Sequence, residues 1–282
     1  MIHTRLITGT LVDAATLTAS SETAELPVAN LQDDRRTKVW RAQTTEAYVD
    51  IDLGVSRPVG AVAVVNHNLS QAGRFIVQAG TSQGDASLLD ITEDAWEPLY
   101  GFGEGGFGEH SFGGYLSDEE IAIYYPAGSL RLIYFDQVDA RHWRITLSEP
   151  DHPDGYVEAG RIMLDAYRSS QRGVSLGLEM LPVDPSPVSY SLGGQAWVDQ
   201  RPAYRQMTVT YRGAPDALDL WYAVLQEVGR APFVGDFLHD HPAVSARLRA
   251  QLYCHLPQDG GQSIRLGYGN RGEVQLTVRE SL

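Results

Sequence analysis

The sequence has little cysteine and no long apolar run. Cys254 is the only cysteine in the chain, so an intramolecular disulfide is excluded and the hydrophobic core alone must stabilise the fold. No stretch approaches the roughly 20 apolar residues that a membrane-spanning helix requires, so we expect no membrane insertion. The first residues show no basic segment followed by an apolar one, so we also expect no secretory signal and synthesis in a cytoplasm.

Basic charge is scarce as well. The chain has 22 Lys and Arg against 36 Asp and Glu, which gives a formal charge of −14. A surface this acidic repels phosphate backbones, and only a local basic patch would offset the repulsion. Residues 33–36 read Asp-Asp-Arg-Arg and are mixed in sign, so they form no such patch. Nucleic acid is therefore not an expected partner.

Short apolar runs with a period of two residues dominate the first part of the chain. This periodicity predicts β-strands, and no segment before residue 168 has a clear helical period. The predicted strands cover 3–10, 48–54, 59–65, 74–80, 96–100, 121–125, 130–135, 140–147 and 160–167. Residues 54–58 include Gly54 and Pro58, which favours a tight connection between two separate strands there. Many short strands without helices predict a β-sandwich or jelly roll.

The pattern changes after residue 167. The polar segment 168–173 predicts a linker, and strands are expected at 192–198, 204–211, 250–255 and 274–278. One amphipathic helix is expected between Asp216 and Gly229. Its apolar positions are Leu218, Trp221, Tyr222, Leu225 and Val228. The chain is thus predicted to be mainly β, with a jelly-roll domain at 1–170 and a smaller α+β domain at 171–282.

The first domain resembles the discoidin family, also called the coagulation factor C-type or galactose-binding-like jelly roll. The resemblance is carried, in order, by Trp40, the strand that ends Ile-Asp-Leu-Gly at 51–54, Asn66-His67-Asn68, Trp96, the strand 141–147 and the strand 158–167. It covers roughly residues 20 to 168. It implies a β-sandwich whose end loops hold ligands. Some such domains bind calcium through loop oxygens, so calcium stays open as a ligand, although no cofactor is expected.

The second domain resembles the β-rich domain of distal tail and related tail-tip proteins of long-tailed bacteriophages. The segments that carry this resemblance are 197–211, the helix 216–229, residues 229–234 and a closing strand that ends near Glu280. In those proteins the domain forms a ring around the tail axis. The ring domain usually comes first in the chain, whereas the order here is reversed. The resemblance implies copies of this chain and other tail or baseplate proteins as partners.

Residues 101–114 form an unusual segment, with glycine at half of the positions and Phe102, Phe107 and Phe112 between them. Glycine spacing of this kind can indicate a phosphate cradle, but no strand–loop–helix context surrounds it and no lysine follows. A long loop whose aromatic side chains contact a neighbouring subunit is the favoured interpretation.

Asn66, His67 and Asn68 are the candidate carbohydrate-binding residues, together with Phe107. Amide and imidazole groups bind sugar hydroxyls, and a phenylalanine ring can stack on a sugar face. The alternative is that the Asn and His side chains satisfy the backbone of their own loop.

Other polar groups have simpler interpretations. Asp50 and Asp52 share one face of a strand, which suits either a glycosidase carboxylate pair or a solvated sheet face. His239-Asp240-His241 is more typical of a solvated turn than of a zinc site. Cys254 lies in an alternating segment typical of a buried strand, and no orienting partner marks it as a catalytic thiol. We expect no catalytic residue, no metal site and no enzyme activity, with a glycan hydrolase as the remaining enzyme hypothesis.

The favoured function is therefore structural. We expect a component of a phage tail tip or baseplate that assembles in several copies, is located in the virion tail and is assembled in the host cytoplasm. The alternative is a carbohydrate-binding module that engages a cell-surface glycan, and the two roles are compatible.

Overall fold

The computed structural model describes residues 3–99, 114–169, 174, 178–212, 215–258, 263–265 and 272–282. The strands are β1 Arg5–Ile7, β2 Thr16–Ala19, β3 Trp40–Arg41, β4 Glu46–Val65, β5 Arg74–Gly80, β6 Leu89–Asp94, β7 Leu130–Ser148, β8 Glu158–Ala159, β9 Arg161–Asp165, β10 Arg168–Ser169, β11 Glu179–Val183, β12 Val188–Tyr190, β13 Ala196–Val198, β14 Tyr204–Arg212, β15 Phe233–Asp236, β16 Gln251–His255, β17 Ser263–Arg265 and β18 Glu273–Glu280. The helices are α1 Thr10–Asp13, α2 Asp118–Tyr124, α3 Pro215–Val228 and α4 Val244–Arg249, with a 3₁₀ turn at Val28–Gln32.

Two long antiparallel strands organise the first part of the chain. The first half of β4 pairs with the second half of β7, and the second half of β4 pairs with the first half of β7. β5 and β6 extend the sheet beyond the second half of β7, while β2 and β9 flank the two halves of β4. Side chains from both halves, such as Val49 and Val62, lie in one buried cluster. The protein is mainly β, and this part is the predicted jelly-roll sandwich.

The predicted connection between two strands at residues 54–58 is wrong, because β4 continues through this segment. The segment is nevertheless irregular. Gly54 has φ 75°, and the pairing register with β7 shifts between Asp52 and Arg57. An irregularity of this kind bends a strand without ending it. β7 is likewise one strand where two were expected at 130–135 and 140–147. The bends allow each strand to contribute to both layers of the sandwich.

The predicted strand at 121–125 is wrong: residues 121–124 belong to α2, and Tyr125 caps its C-terminal end. Ser117 accepts a hydrogen bond from the backbone N–H of Glu120, and the Glu120 carboxylate accepts one from the backbone N–H of Ser117. This reciprocal pair is a capping box, which fixes the start of a helix. The expected strand at 96–100 is also absent over its described residues, 96–99, and β6 lies just before it.

A second sheet carries most of the remaining chain. Its strands follow the order β10-β1-β15-β16-β18-β14-β11, with β17 beside β18. The helix α3 confirms the expected amphipathic segment, and Gly229 follows it with φ 56°. Trp221 and Val224 of α3 are fully buried, whereas Tyr222 is exposed although it was assigned to the apolar face. Among the described helices, none is long and apolar enough to cross a bilayer.

The two parts of the chain are interlocked at their junction. β1, from the N-terminus, lies in the second sheet and pairs with β15. Val234, Leu248 and Tyr253 pack into the core cluster of the jelly roll, while the second core cluster includes Leu6. The assignment of domains to 1–170 and 171–282 stays a prediction, but the second sheet contains residues from before position 170.

Candidate functional site

The predicted residues Asn66 and Asn68 lie where the second half of β4 ends. Asn66 has φ 57°, and its Nδ2 donates to the carbonyl oxygen of Arg36 at 2.8 Å. Asn68 Nδ2 donates to the carbonyl oxygen of Tyr156 at 3.1 Å, and its Oδ1 accepts from the N–H of Glu158 at 2.9 Å. These amides hold neighbouring backbone in place, as the alternative interpretation of the sequence anticipated.

His67 lies between them and points into the core. Its ring is 5.1 Å from the ring of Phe75 and 5.1 Å from that of Trp96, measured between centroids. Neither ring nitrogen has a hydrogen-bond partner among the described residues. Burial, reinforced by the positive charge of Arg131, lowers the pKa of His67 to about 3. The imidazole is therefore neutral at physiological pH. Sugar binding by residues 66–68 stays a prediction.

The backbone that Asn68 fixes presents a polar group at the surface. The Nε of Arg41 donates to Glu158 Oε2 at 2.8 Å, and the Arg41 guanidinium lies 4.1 Å from the centroid of the Tyr156 ring. The hydrogen bond to Glu158 raises the pKa of Arg41. We call Arg41, Tyr156 and Glu158 the loop-end cluster. It offers half-exposed donors and acceptors beside an aromatic ring, which suits hydroxylated ligands.

Sequence reasoning missed the loop-end cluster because its members are far apart in the chain. Residues 41 and 158 meet only because β3 pairs with β8, with Arg41 opposite Glu158. The predicted Asn66-His67-Asn68 segment lies beside this cluster, because Asn68 bonds to the backbone of Tyr156 and Glu158. The pairing between residues more than a hundred positions apart gave no local pattern.

The remaining polar candidates have internal partners. Asp50 pairs with Arg144 at 2.7 Å, and Asp52 pairs with Arg141 at 2.6 Å, which holds the pKa of the Asp52 carboxyl well below its usual range. In the part of the chain that the structure describes, no group of three or more His, Cys, Asp or Glu side chains is arranged to hold a metal ion.

The structure also shows the surroundings of the segment 239–241 and of Cys254. His239 Nδ1 lies 2.8 Å from Asp236 Oδ2, and Asp240 Oδ2 lies 2.5 Å from His3 Nδ1. Cys254 is fully buried, as its alternating segment predicted, and burial raises the pKa of its thiol. An uncharged, buried thiol is a poor nucleophile.

The predicted subunit-contact loop lies largely outside the described residues. Phe102, Phe107 and Phe112 all fall within residues 100–113. Their assignment to subunit contact, and that of Phe107 to carbohydrate binding, stay predictions.

A surface that the sequence did not reveal is the hairpin formed by β12 and β13. All residues from 187 to 203 are exposed, and we call this segment the arm. Among the described strands its two strands pair only with each other, with Val188 opposite Val198 and Tyr190 opposite Ala196. A two-stranded hairpin that stands alone in water is marginally stable at best. The arm therefore has the properties of a segment that gains stability by docking on another surface.

The arm is apolar for an exposed segment. Tyr190 is 73% exposed, Trp197 is 63% exposed, and Val188, Leu192 and Val198 are also exposed. The register places Val188, Tyr190 and Val198 on one face of the hairpin and Trp197, opposite Ser189, on the other. Single exposed apolar residues are ordinary, but a short segment that exposes large apolar side chains on both faces is typical of an interaction site. Tryptophan and tyrosine are also the residues that most often dominate protein–protein binding energy.

A comparison with solved structures finds partial similarities. The chain is similar to chitosan-binding module 1 of a chitosanase/glucanase from Paenibacillus sp. IK-5, with 17% identity, 55% of this chain and 97% of that chain covered, and a TM-score of 0.36. It is similar to the family 32 carbohydrate-binding module of C. perfringens NanJ in complex with galactose, with 14% identity, coverage of 58% and 99%, and a TM-score of 0.35. It is also similar to the lectin domain of lectinolysin complexed with Lewis B antigen, with 13% identity, coverage of 55% and 94%, and a TM-score of 0.37.

Each of these neighbours spans little more than half of this chain, and none of the three is a tail protein. No protein-family profile matches the sequence. No curated protein matches it either.

Proposed function

We propose that this chain is a structural subunit that assembles in several copies, and that its arm docks on a neighbouring subunit. The single observation that carries the proposal is the arm itself. It is a folded hairpin with exposed tyrosine, tryptophan, leucine and valine side chains and no strand partner in the described sheets. The role is contact with protein neighbours rather than catalysis.

A second copy of this chain is the partner that fits best. β10 and β11 form the two ends of the described strand order in the second sheet, and the arm follows directly after β11. An arm that leaves one side of a subunit and docks elsewhere on the next makes a head-to-tail interface, which closes into a ring when the rotation permits. Two copies of a chain with a charge of −14 repel each other, so the contact must be dominated by apolar groups.

The finer proposal is a tail tip or baseplate of a long-tailed bacteriophage, with the chain in the virion tail after assembly in the host cytoplasm. It rests on the resemblance of residues 188–280 to tail proteins, whose ring domains assemble around the tail axis. Other tail proteins would then be further partners. Imaging of the assembled particle with a label on this chain tests this part.

The experiment for the assembly proposal is sedimentation velocity on matched variants. We expect Tyr190→Ser combined with Trp197→Ser to weaken self-association by roughly thirtyfold, because truncating a tyrosine or tryptophan that is an interface hot spot costs about 2 kcal/mol or more. The control is Tyr222→Ser, which removes a side chain that is 62% exposed on α3, outside the arm. Equal association by all three proteins would overturn the proposal.

A second candidate function, glycan binding, is favoured by the loop-end cluster. Its guanidinium, carboxylate and aromatic ring are half-exposed and held rigidly by internal hydrogen bonds. We propose that this cluster contacts a cell-surface glycan, which a tail protein would also use. A glycan array tests it with wild type and Arg41→Ser, since Asn68→Ala would disturb the loop backbone. If wild type binds no glycan, or if Arg41→Ser binds equally well, this candidate fails.

A further inference from the structure

A groove lies at the junction of the two parts of the chain and has no assigned role. Its volume is about 500 Å³. Glu97, Arg131 and Tyr134 line it from the jelly roll, and His239, Val244 and Arg247 line it from the other part. We call it the junction groove. Its volume lies in the range of pockets that enclose small ligands, so it has room for one or two large side chains.

One wall of the junction groove is a strand edge. Residues 131–134 are four consecutive positions of β7, and all of them line the groove. Alternate side chains of a strand point to opposite faces, so four consecutive lining residues place the backbone edge toward the groove. Residues 130–138 pair with β4 on one side, and no described strand pairs with them on the other. A free edge of this kind can accept an added strand through main-chain hydrogen bonds.

The charges in the groove are balanced. Arg131 Nη2 donates to Glu93 Oε2 at 3.1 Å, and Arg247 forms an ion pair with Glu97. These two arginines and two glutamates sum to zero, whereas the whole chain carries −14. A second copy that approaches this neutral surface is therefore repelled less than one that approaches the acidic remainder of the chain. The Nε of Arg131 is buried without a hydrogen-bond partner among the described residues.

We propose that the junction groove receives the arm of a neighbouring copy. This inference rests on the assembly proposal and names the surface on which the arm docks. The arm supplies an unpaired hairpin edge and, on its two opposite faces, the aromatic rings of Tyr190 and Trp197. The groove supplies a free strand edge and two guanidinium groups, which bind the electron-rich faces of aromatic rings. Docking there also bridges both parts of the recipient chain, since residues of each line the groove.

Cysteine cross-linking tests the contact cleanly because Cys254 is fully buried. Two single variants of the full chain are mixed under mild oxidation, Val198→Cys on the arm and Val244→Cys in the groove, with a size tag on one of them. The matched control replaces the groove partner with Val55→Cys, a valine 54% exposed at the bend of β4. We expect the 198–244 disulfide dimer to exceed the 198–55 dimer at least severalfold.

The outcomes separate the two proposals. If the arm variants weaken association in sedimentation but the 198–244 dimer does not exceed the 198–55 dimer, the arm docks elsewhere and the groove inference is overturned. If the chain does not associate at all, both proposals fail. A second check uses Arg247→Glu, which we expect to weaken association at least tenfold, whereas unchanged association contradicts the groove as the docking site.

Discussion

The buried imidazole of His67 gives a prediction whose magnitude follows from the structure. In the folded protein, burial lowers its pKa to about 3, while a histidine in an unfolded chain titrates near about 6.5. Between these two values the unfolded state binds the extra proton and the folded state does not. The stabilising effect of the neutral ring is complete above about pH 6.5 and is lost as the pH falls toward 3.

The expected loss can be estimated for a convenient interval. Each unit of difference in pKa corresponds to about 1.4 kcal/mol, so lowering the pH from 7 to 5 costs about 2 kcal/mol through this one group. His67→Leu replaces the imidazole with an apolar side chain of similar size between Phe75 and Trp96. The variant therefore removes this pH-dependent term and leaves the other titrating groups in place.

Urea unfolding of wild type and His67→Leu at both pH values measures the effect. The free energy of unfolding of wild type should fall by about 2 kcal/mol more than that of the variant between pH 7 and pH 5. The control is Phe75→Leu, which weakens the same contact but keeps His67. Relative to wild type, we expect this variant to be destabilised by the same amount at pH 7 and at pH 5. If wild type and His67→Leu lose the same stability on acidification, the reasoning about the buried ring is refuted.

Three further predictions concern stability and reactivity. Glu280→Gln breaks the buried pair with Arg205 and should lower the free energy of unfolding by roughly 3–5 kcal/mol in urea titrations, and a loss below 1 kcal/mol would contradict the pairing. Gly229→Ala places a side chain at φ 56° after α3, so thermal unfolding should show a loss of about 1 kcal/mol, and no loss would mean that this residue is not left-handed. Cys254 should react with a thiol reagent only after denaturation, because it is fully buried, and rapid reaction of the folded protein would contradict its position.

Local patterns in the sequence predicted the elements that depend on local physics. The strand 74–80 was placed at its observed limits because its alternation and Gly80 lie next to each other in the chain. The helix α3 was found from its period and from Gly229. The Ser-x-x-Glu pattern at Ser117 and Glu120 is a local signal for the start of α2, and it was not used when a strand was predicted at 121–125.

Strand pairing between residues far apart in the chain could not be predicted from local patterns. Whether residues 54–58 turn the chain or bend a strand depends on β7, which pairs with both sides of that segment. The position of β1 in the second sheet depends on β15, more than two hundred residues away. The loop-end cluster and the junction groove arise from such long-range contacts, so no local pattern in the sequence predicted either of them.

The central claim is that this chain assembles with copies of itself, and its molar mass in solution tests that claim most directly. Light scattering coupled to size-exclusion chromatography should be run on the full chain over a range of concentrations. We predict a mass above the 31.0 kDa of one chain that rises with concentration to a fixed multiple of it. A mass of 31.0 kDa at every concentration would contradict the claim.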